Sequence, residues 1–317
     1  MDHPDLLPND AQWRRLSVSS HKRELFEQDV YFREAWADCE DLFEIDVAEA
    51  LTPVTLLCAK PDAVVGRRLR PMLDYAVEHG FAPIGVAESR LGRHSMRDIW
   101  RYDWHVYTAD RLRFSTIWYT SAPMLVFALE DLCPEPGIPA SVRLTSLKGH
   151  ALASRRGPDE MRSRLAPPNT VLNFVHVTDE PADVVREAGI LFESDERIAL
   201  LRSLGERRGG AQAHAEAVAA IEDLYARHSA HDLDAVASLR RLRAAGMVDE
   251  AGFDRIARCL DLGGSMSWNA LISTLSAEVI AERRWDFISL ASAVIPRERP
   301  LESPLRNPDI HDWRRAG

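Results

Sequence analysis

Between residues 54 and 192 short apolar runs alternate with amphipathic stretches, and this alternation limits the fold more than any other feature of the chain. Val54-Thr55-Leu56-Leu57-Cys58-Ala59 is continuous, apolar and partly β-branched, as in a strand covered on both faces. From Arg67 to Gly80, Leu69, Met72, Leu73, Ala76 and Val77 recur at helical spacing, and Gly80 supplies the residue that ends the helix. Phe81 to Ser89 alternates loosely and predicts a second strand. Met124 to Glu130 and Val171 to His176 predict a third and a fourth. A polar region around Ser95 to Asp110, rich in Trp and Tyr, reads as helical, and Ser141 to Lys148 as a short helix. Gly149 to Pro168 reads as a long polar loop. Thr178-Asp179-Glu180-Pro181 is a helix-start signature whose helix runs to Phe192. The order β-α-β-α-β-α-β-α predicts an α/β (α+β) fold, its centre a ferredoxin-like antiparallel sheet.

The flanks have a different texture. Residues 1–50 read as an N-terminal helical extension, with one amphipathic helix capped at Ser19 or Ser20 and running through Trp36, and a short one near Val47 to Leu51. Residues 51–192 form the mixed block. Residues 193–317 are predicted to be helical, broken at Gly209-Gly210 and ending in an irregular Pro-rich tail from Pro296. Within them, Leu239–Gly246 followed by Asp249–Phe253 resembles the short C-terminal helical hairpins of SHOCT type. No motif there points to chemistry, so the expected role of these helices is packing.

Composition narrows the functional classes. The formal net charge is −10 over 317 residues, and an acidic surface repels a phosphate backbone, so nucleic acid is not an expected partner. The longest apolar runs are far too short to span a bilayer, so no membrane partner is expected. The start Met1-Asp2-His3-Pro4-Asp5 lacks the order of a signal peptide. The four cysteines, Cys39, Cys58, Cys133 and Cys259, show neither metal-ligand nor disulfide-framework spacing. A reduced, cytoplasmic setting is the expectation.

Three motifs stand in order along the central block. Lys60-Pro61-Asp62-Ala63-Val64 follows the first strand and precedes a helix. Ser121-Ala122-Pro123 leads into the third strand. Asn173-Phe174-Val175-His176-Val177-Thr178-Asp179 closes the fourth, and Glu187 stands eleven residues past His176. This ordered set, over roughly 140 residues, resembles the Lys-Pro-Asp, Ser-Gly-Pro and Asn-x-x-His-Gly-Ser-Asp motifs of the nucleoside diphosphate kinase family.

The resemblance implies a phosphotransferase. His176 would carry the γ-phosphate of a nucleoside triphosphate to a nucleoside diphosphate or a specialised small-molecule acceptor, a neutral imidazole being available near pH 7. Lys60 and Arg162 would neutralise phosphate charge, with Arg164 the competing arginine in the same loop. Asn173 would contact the ribose side, Thr178 would stand near the histidine, and Glu187 would orient its ring. Arg143 would take the place of an expected arginine at Thr145, and Tyr102 or Trp104 that of an aromatic near the phosphates. Mg²⁺ would bridge the phosphates without a dedicated protein cage. The family assembles symmetrically, which makes a homo-oligomer an expectation. The start of the helix after His176 would favour an anion.

The sequence also departs from that pattern. Val177 stands where the family has glycine, so a backbone position needing φ > 0 would be strained there. Ala151 replaces a phosphate-contacting threonine, and Arg111 or Leu112 falls where a phenylalanine stacks on the base. Pro134 to Pro139 is an inserted loop. Retention of Lys60, Asn173, His176, Thr178 and Glu187 favours an enzyme with altered specificity. The alternative is a catalytically weak nucleotide-binding or protein-interaction scaffold that keeps the fold.

Overall fold

A computed structural model of the chain describes residues 7–296 and 304–316. The expectations for the acidic N-terminus at 1–5 and for the first part of the Pro-rich tail, 297–303, lie outside the described residues. Four strands, β1 (Val54–Ala59), β2 (Phe81–Ser89), β3 (Met124–Asp131) and β4 (Val175–Val177), form one sheet in the order β2-β3-β1-β4. Every pairing is antiparallel. All six residues of β1 are buried. Because strand side chains alternate between faces, that burial requires cover on both sides, which is why the run is apolar without interruption.

The fourth strand is shorter than its apolar run predicts. Phe174 has φ +68, which takes the chain out of extended geometry, and only Val175 to Val177 pair with β1. Two contacts fix this turn. The Phe174 N–H donates to Asp62 Oδ2 at 2.8 Å, and the Lys60 N–H donates to the Phe174 carbonyl at 2.8 Å. Val177 is a buried strand residue opposite Leu57 with no positive φ. The strain expected at Val177 is therefore absent, and the positive φ of this segment lies at Phe174, where side-chain and backbone hydrogen bonds hold it.

Asp29 divides the N-terminal extension. Its Oδ1 accepts from the N–H groups of Tyr31 and Phe32, so two helices, Ser20–Phe26 and Val30–Leu42, replace the single one expected. Val30–Leu42 lies on the helix Pro181–Leu191, which is buried along its whole length. Gly189 permits the approach: a Cβ there would stand 2.5 Å from the Tyr31 carbonyl oxygen. Arg186 pairs with Asp29 at 2.8 Å, and buried Lys22 with Glu180 at 2.8 Å and Asp183 at 2.6 Å.

Past residue 193, the helices Ser194–Glu206 and Ala211–Arg227 pack on β2. The helix Arg284–Val294 packs on Ala235–Ala244 and on Ala109–Tyr119. The last of these was not expected, because its apolar and charged residues are spread around all sides and leave no stripe to read. The 149–168 loop holds a short helix, Met161–Leu165, and the tail ends in the helix Ile310–Ala316. Among the described residues no helix is long and apolar enough to cross a membrane.

Candidate active site

Strand pairing brings the first and third sequence motifs together. β1 and β4 run antiparallel with Ala59 opposite Val175. Lys60, just past the end of β1, therefore meets Asn173, just before β4. Lys60 Nζ donates to Asn173 Oδ1 and stands 4.8 Å from the centre of the Trp118 ring. The Asn173 amide is fixed from its other side, donating to the Thr170 carbonyl at 3.0 Å. Asp62 secures the assembly by accepting from Phe174 N–H and, at 3.3 Å, from Trp118 Nε1.

His176 occupies the middle of β4, opposite Cys58. Its Nε2 lies 2.9 Å from Glu187 Oε1 and 2.8 Å from Oε2. A carboxylate in that position accepts, so Nε2 carries the proton of the neutral ring and Nδ1 keeps the lone pair. The indole of Trp100 meets the imidazole edge-on at 5.5 Å.

His176, Lys60, Asn173 and Arg162 line one cavity of about 820 Å³. This volume lies in the range of small-molecule and cofactor sites. One wall is Tyr107, Arg111, Ser115, Trp118 and Tyr119, from the helix Ala109–Tyr119 and the residues before it; Thr170, Val171, Asn173 and Val175 form another. Trp100, Trp104 and the segment from His150 to Arg155 complete it.

The lining is cationic although the chain is acidic. Among the described residues, Lys60, Arg111, Arg155 and Arg162 line the cavity alongside one carboxylate, Asp103. Burial pushes the Lys60 ammonium down to about 7, with Asp62 opposing and Arg162 adding to the shift. Burial likewise takes Arg162 down to about 10. Its Nη1 and Nη2 donate to the carbonyls of Gly149 and Val175, at 2.5 and 2.9 Å, while its Nε is buried without a hydrogen-bond partner. Desolvated cations crowded in this way are relieved by an anion.

Not every candidate reaches the cavity. Thr178 is fully buried behind the sheet edge, its hydroxyl 3.0 Å from that of Thr55 and accepting from Leu56 N–H. Arg143 pairs with Asp131 at 2.6 Å and donates to the His79 carbonyl. Arg164 reaches outward to Glu78 at 2.7 Å. Tyr102 stacks on Phe26 and lines a smaller cavity of about 110 Å³ that reaches His176 and Glu187 from another side, whereas Trp104 lines the large one. Nor does the helix start after His176 serve the cavity. The helix begins at Pro181, and its cap, Glu180, is buried under Ser17, Lys22 and Trp313. The cavity also takes in residues that no motif of the sequence marks, among them Trp100, Asp103, Tyr107, Ser115, Trp118, Tyr119, His150 and Arg155. The density of aromatics from Trp100 to Tyr119 was the available signal.

Among the described residues no group of three or more His, Cys, Asp or Glu is placed to hold a metal ion. No family model matches the chain, and no curated protein matches it. Among solved structures it is similar to the nucleoside diphosphate kinase of Aquifex aeolicus, at 20% identity and TM-score 0.37 over 45% of this chain and 96% of that one. An NDP kinase from Pyrobaculum aerophilum gives 17% and 0.38 over 45% and 97%. A halophilic nucleoside diphosphate kinase from Halobacterium salinarum, in complex with CDP, gives 18% and 0.36 over 45% and 89%. Strand order and register define the fold.

Proposed function

We propose that the chain is a phosphotransferase that passes the γ-phosphate of a nucleoside triphosphate through His176 to a nucleoside diphosphate or another small acceptor. One observation carries the reading: a histidine held through Nε2 by Glu187 lines the same cation-rich cavity as Lys60, Asn173 and Arg162. In the first half-reaction the Nδ1 lone pair attacks the γ-phosphorus. The N–P bond forms as the bond to the β,γ-bridging oxygen breaks, and the diphosphate leaves with that electron pair. A terminal oxygen of the acceptor then attacks phosphorus, and the N–P electrons return to Nδ1. The Nε2 proton stays with the ring, where Glu187 stabilises the charge that develops. Lys60 and Arg162 supply positive charge at the phosphates.

A divalent ion, Mg²⁺ by expectation, enters as part of the nucleotide substrate. With Asp103 the one carboxylate in the cavity wall among the described residues, the phosphates themselves would supply most of its ligands. The aromatic wall offers faces for a base.

A second reading, a nucleotide-binding scaffold of weak activity, draws on one specific fact. Lys60 and Arg162 are already engaged by Asn173 and by backbone carbonyls. Incubation with γ-labelled ATP separates the two. The phosphotransferase forms an acid-labile, base-stable phosphoprotein that His176→Ala abolishes. Folded protein that binds nucleotide and takes up no label is the scaffold.

A further inference from the structure

The helix Arg284–Val294 touches both walls of the cavity. On one side Asn169 organises the turn that delivers Asn173: its Oδ1 accepts from Val171 and Leu172 N–H at 2.8 and 2.9 Å. Its amide nitrogen donates to Ser292 Oγ at 2.9 Å. Ser292 is buried and its own hydroxyl donates to the Ser289 carbonyl, so its lone pairs face Asn169. On the other side, the helix packs on Ala109–Tyr119. Thr108, which caps that second helix, donates to the Pro296 carbonyl at 3.1 Å. Trp268 N–H donates to Asp110 Oδ2 at 2.9 Å in the same first turn.

We infer that residues 268–296 hold the two walls of the nucleotide cavity at a fixed separation, with Asn169 and Ser292 as positioning residues on one wall and Asp110 on the other. The ligand's identity in this inference rests on the phosphotransferase reading; the bracing does not. A pre-set cavity spares a nucleotide the cost of ordering its walls on binding. Bracing of this kind acts on binding and leaves the chemistry at His176 untouched.

The test uses the full chain, with ADP and Mg²⁺-ATP as probes and tryptophan fluorescence as the readout, since Trp104 and Trp118 line the cavity. Ser292→Ala should weaken ADP binding about five-fold, the equivalent of one buried hydrogen bond. The rate of His176 phosphorylation at saturating ATP should stay at the wild-type level. Asp110→Ala, at a partly exposed position, should do the same from the opposite wall and decides the matter if Ser292→Ala fails to fold. Wild-type ADP affinity in the folded variants overturns the inference, as does a fall in phosphorylation rate with affinity intact. Wild-type protein that binds nucleotide but never forms phosphohistidine sinks the phosphotransferase reading alone. Protein that binds neither nucleotide sinks both.

Discussion

Glu187 presents both carboxylate oxygens to a single nitrogen of His176, at 2.9 and 2.8 Å, from the helix Pro181–Leu191 that follows the strand carrying the ring. The pair fixes which nitrogen holds the proton. In Glu187→Gln the amide can donate as well as accept, so the tautomer is no longer imposed. Single-turnover labelling from γ-labelled ATP should slow by about one to two orders of magnitude, the usual scale for losing an orienting partner.

Lys60 ties pH to stability. Its ammonium sits at about 7 in the fold against an ordinary 10.5, chiefly through burial. Between those values the unfolded chain holds a proton that the folded chain has released, so stability rises with pH across the window. The same contribution disappears as pH falls through about 7. Lys60→Met lacks the group. In urea melts the stability of wild type relative to Lys60→Met should therefore rise from the lower to the upper end of this window. A constant difference would contradict the assignment.

Two arginines of one short helix should behave differently. Arg162 is buried in the cavity wall, and Arg164 is exposed and paired with Glu78. Arg162→Met should cost about 1.5–3 kcal/mol of nucleotide binding, the range for hydrogen bonds to charged groups. Arg164→Met should change it by less than about 0.5 kcal/mol, as expected for a surface site. Titration calorimetry with ADP reads both.

Asp62 sustains the positive-φ turn at Phe174. Asp62→Asn replaces one acceptor oxygen with a donor facing either Phe174 N–H or Trp118 Nε1. A loss of about 1–3 kcal/mol in urea unfolding is expected for a buried group left without its partner.

Gly189 tests the seat of the N-terminal helices. A methyl group there meets the Tyr31 carbonyl at 2.5 Å, a backbone atom that cannot rotate away. Gly189→Ala should destabilise the chain by about 1–3 kcal/mol through overpacking. Melting that matches wild type would show that Val30–Leu42 can shift at no cost.

Much of this arrangement could be read without coordinates. The apolar runs at Val54–Ala59 and Met124–Glu130 fall on β1 and β3 within a residue, because a strand covered on both faces must be apolar throughout. The ends of the fourth run could not be read, because Phe174 leaves the strand through a hydrogen bond to Asp62, 112 positions away. Helix Ala109–Tyr119 is illegible for a related reason. It is covered on several sides by elements far along the chain, so no single stripe marks it.

The sequence by itself determined the strand order of the central block and singled out Lys60, Asn173, His176 and Glu187, since periodicity and motif spacing are local properties of the chain. Tertiary structure alone decided which neighbours joined them. It put Arg162 in the cavity and turned Arg164 outward. It set Thr178 and Arg143 elsewhere and Tyr102 in a smaller cavity beside His176, and it built the remaining walls from Trp100, Arg111, Trp118 and His150. The direction of a side chain depends on what packs against its element, and those partners come from other segments of the chain: Thr178 meets Thr55, Arg164 meets Glu78 and Tyr102 meets Phe26.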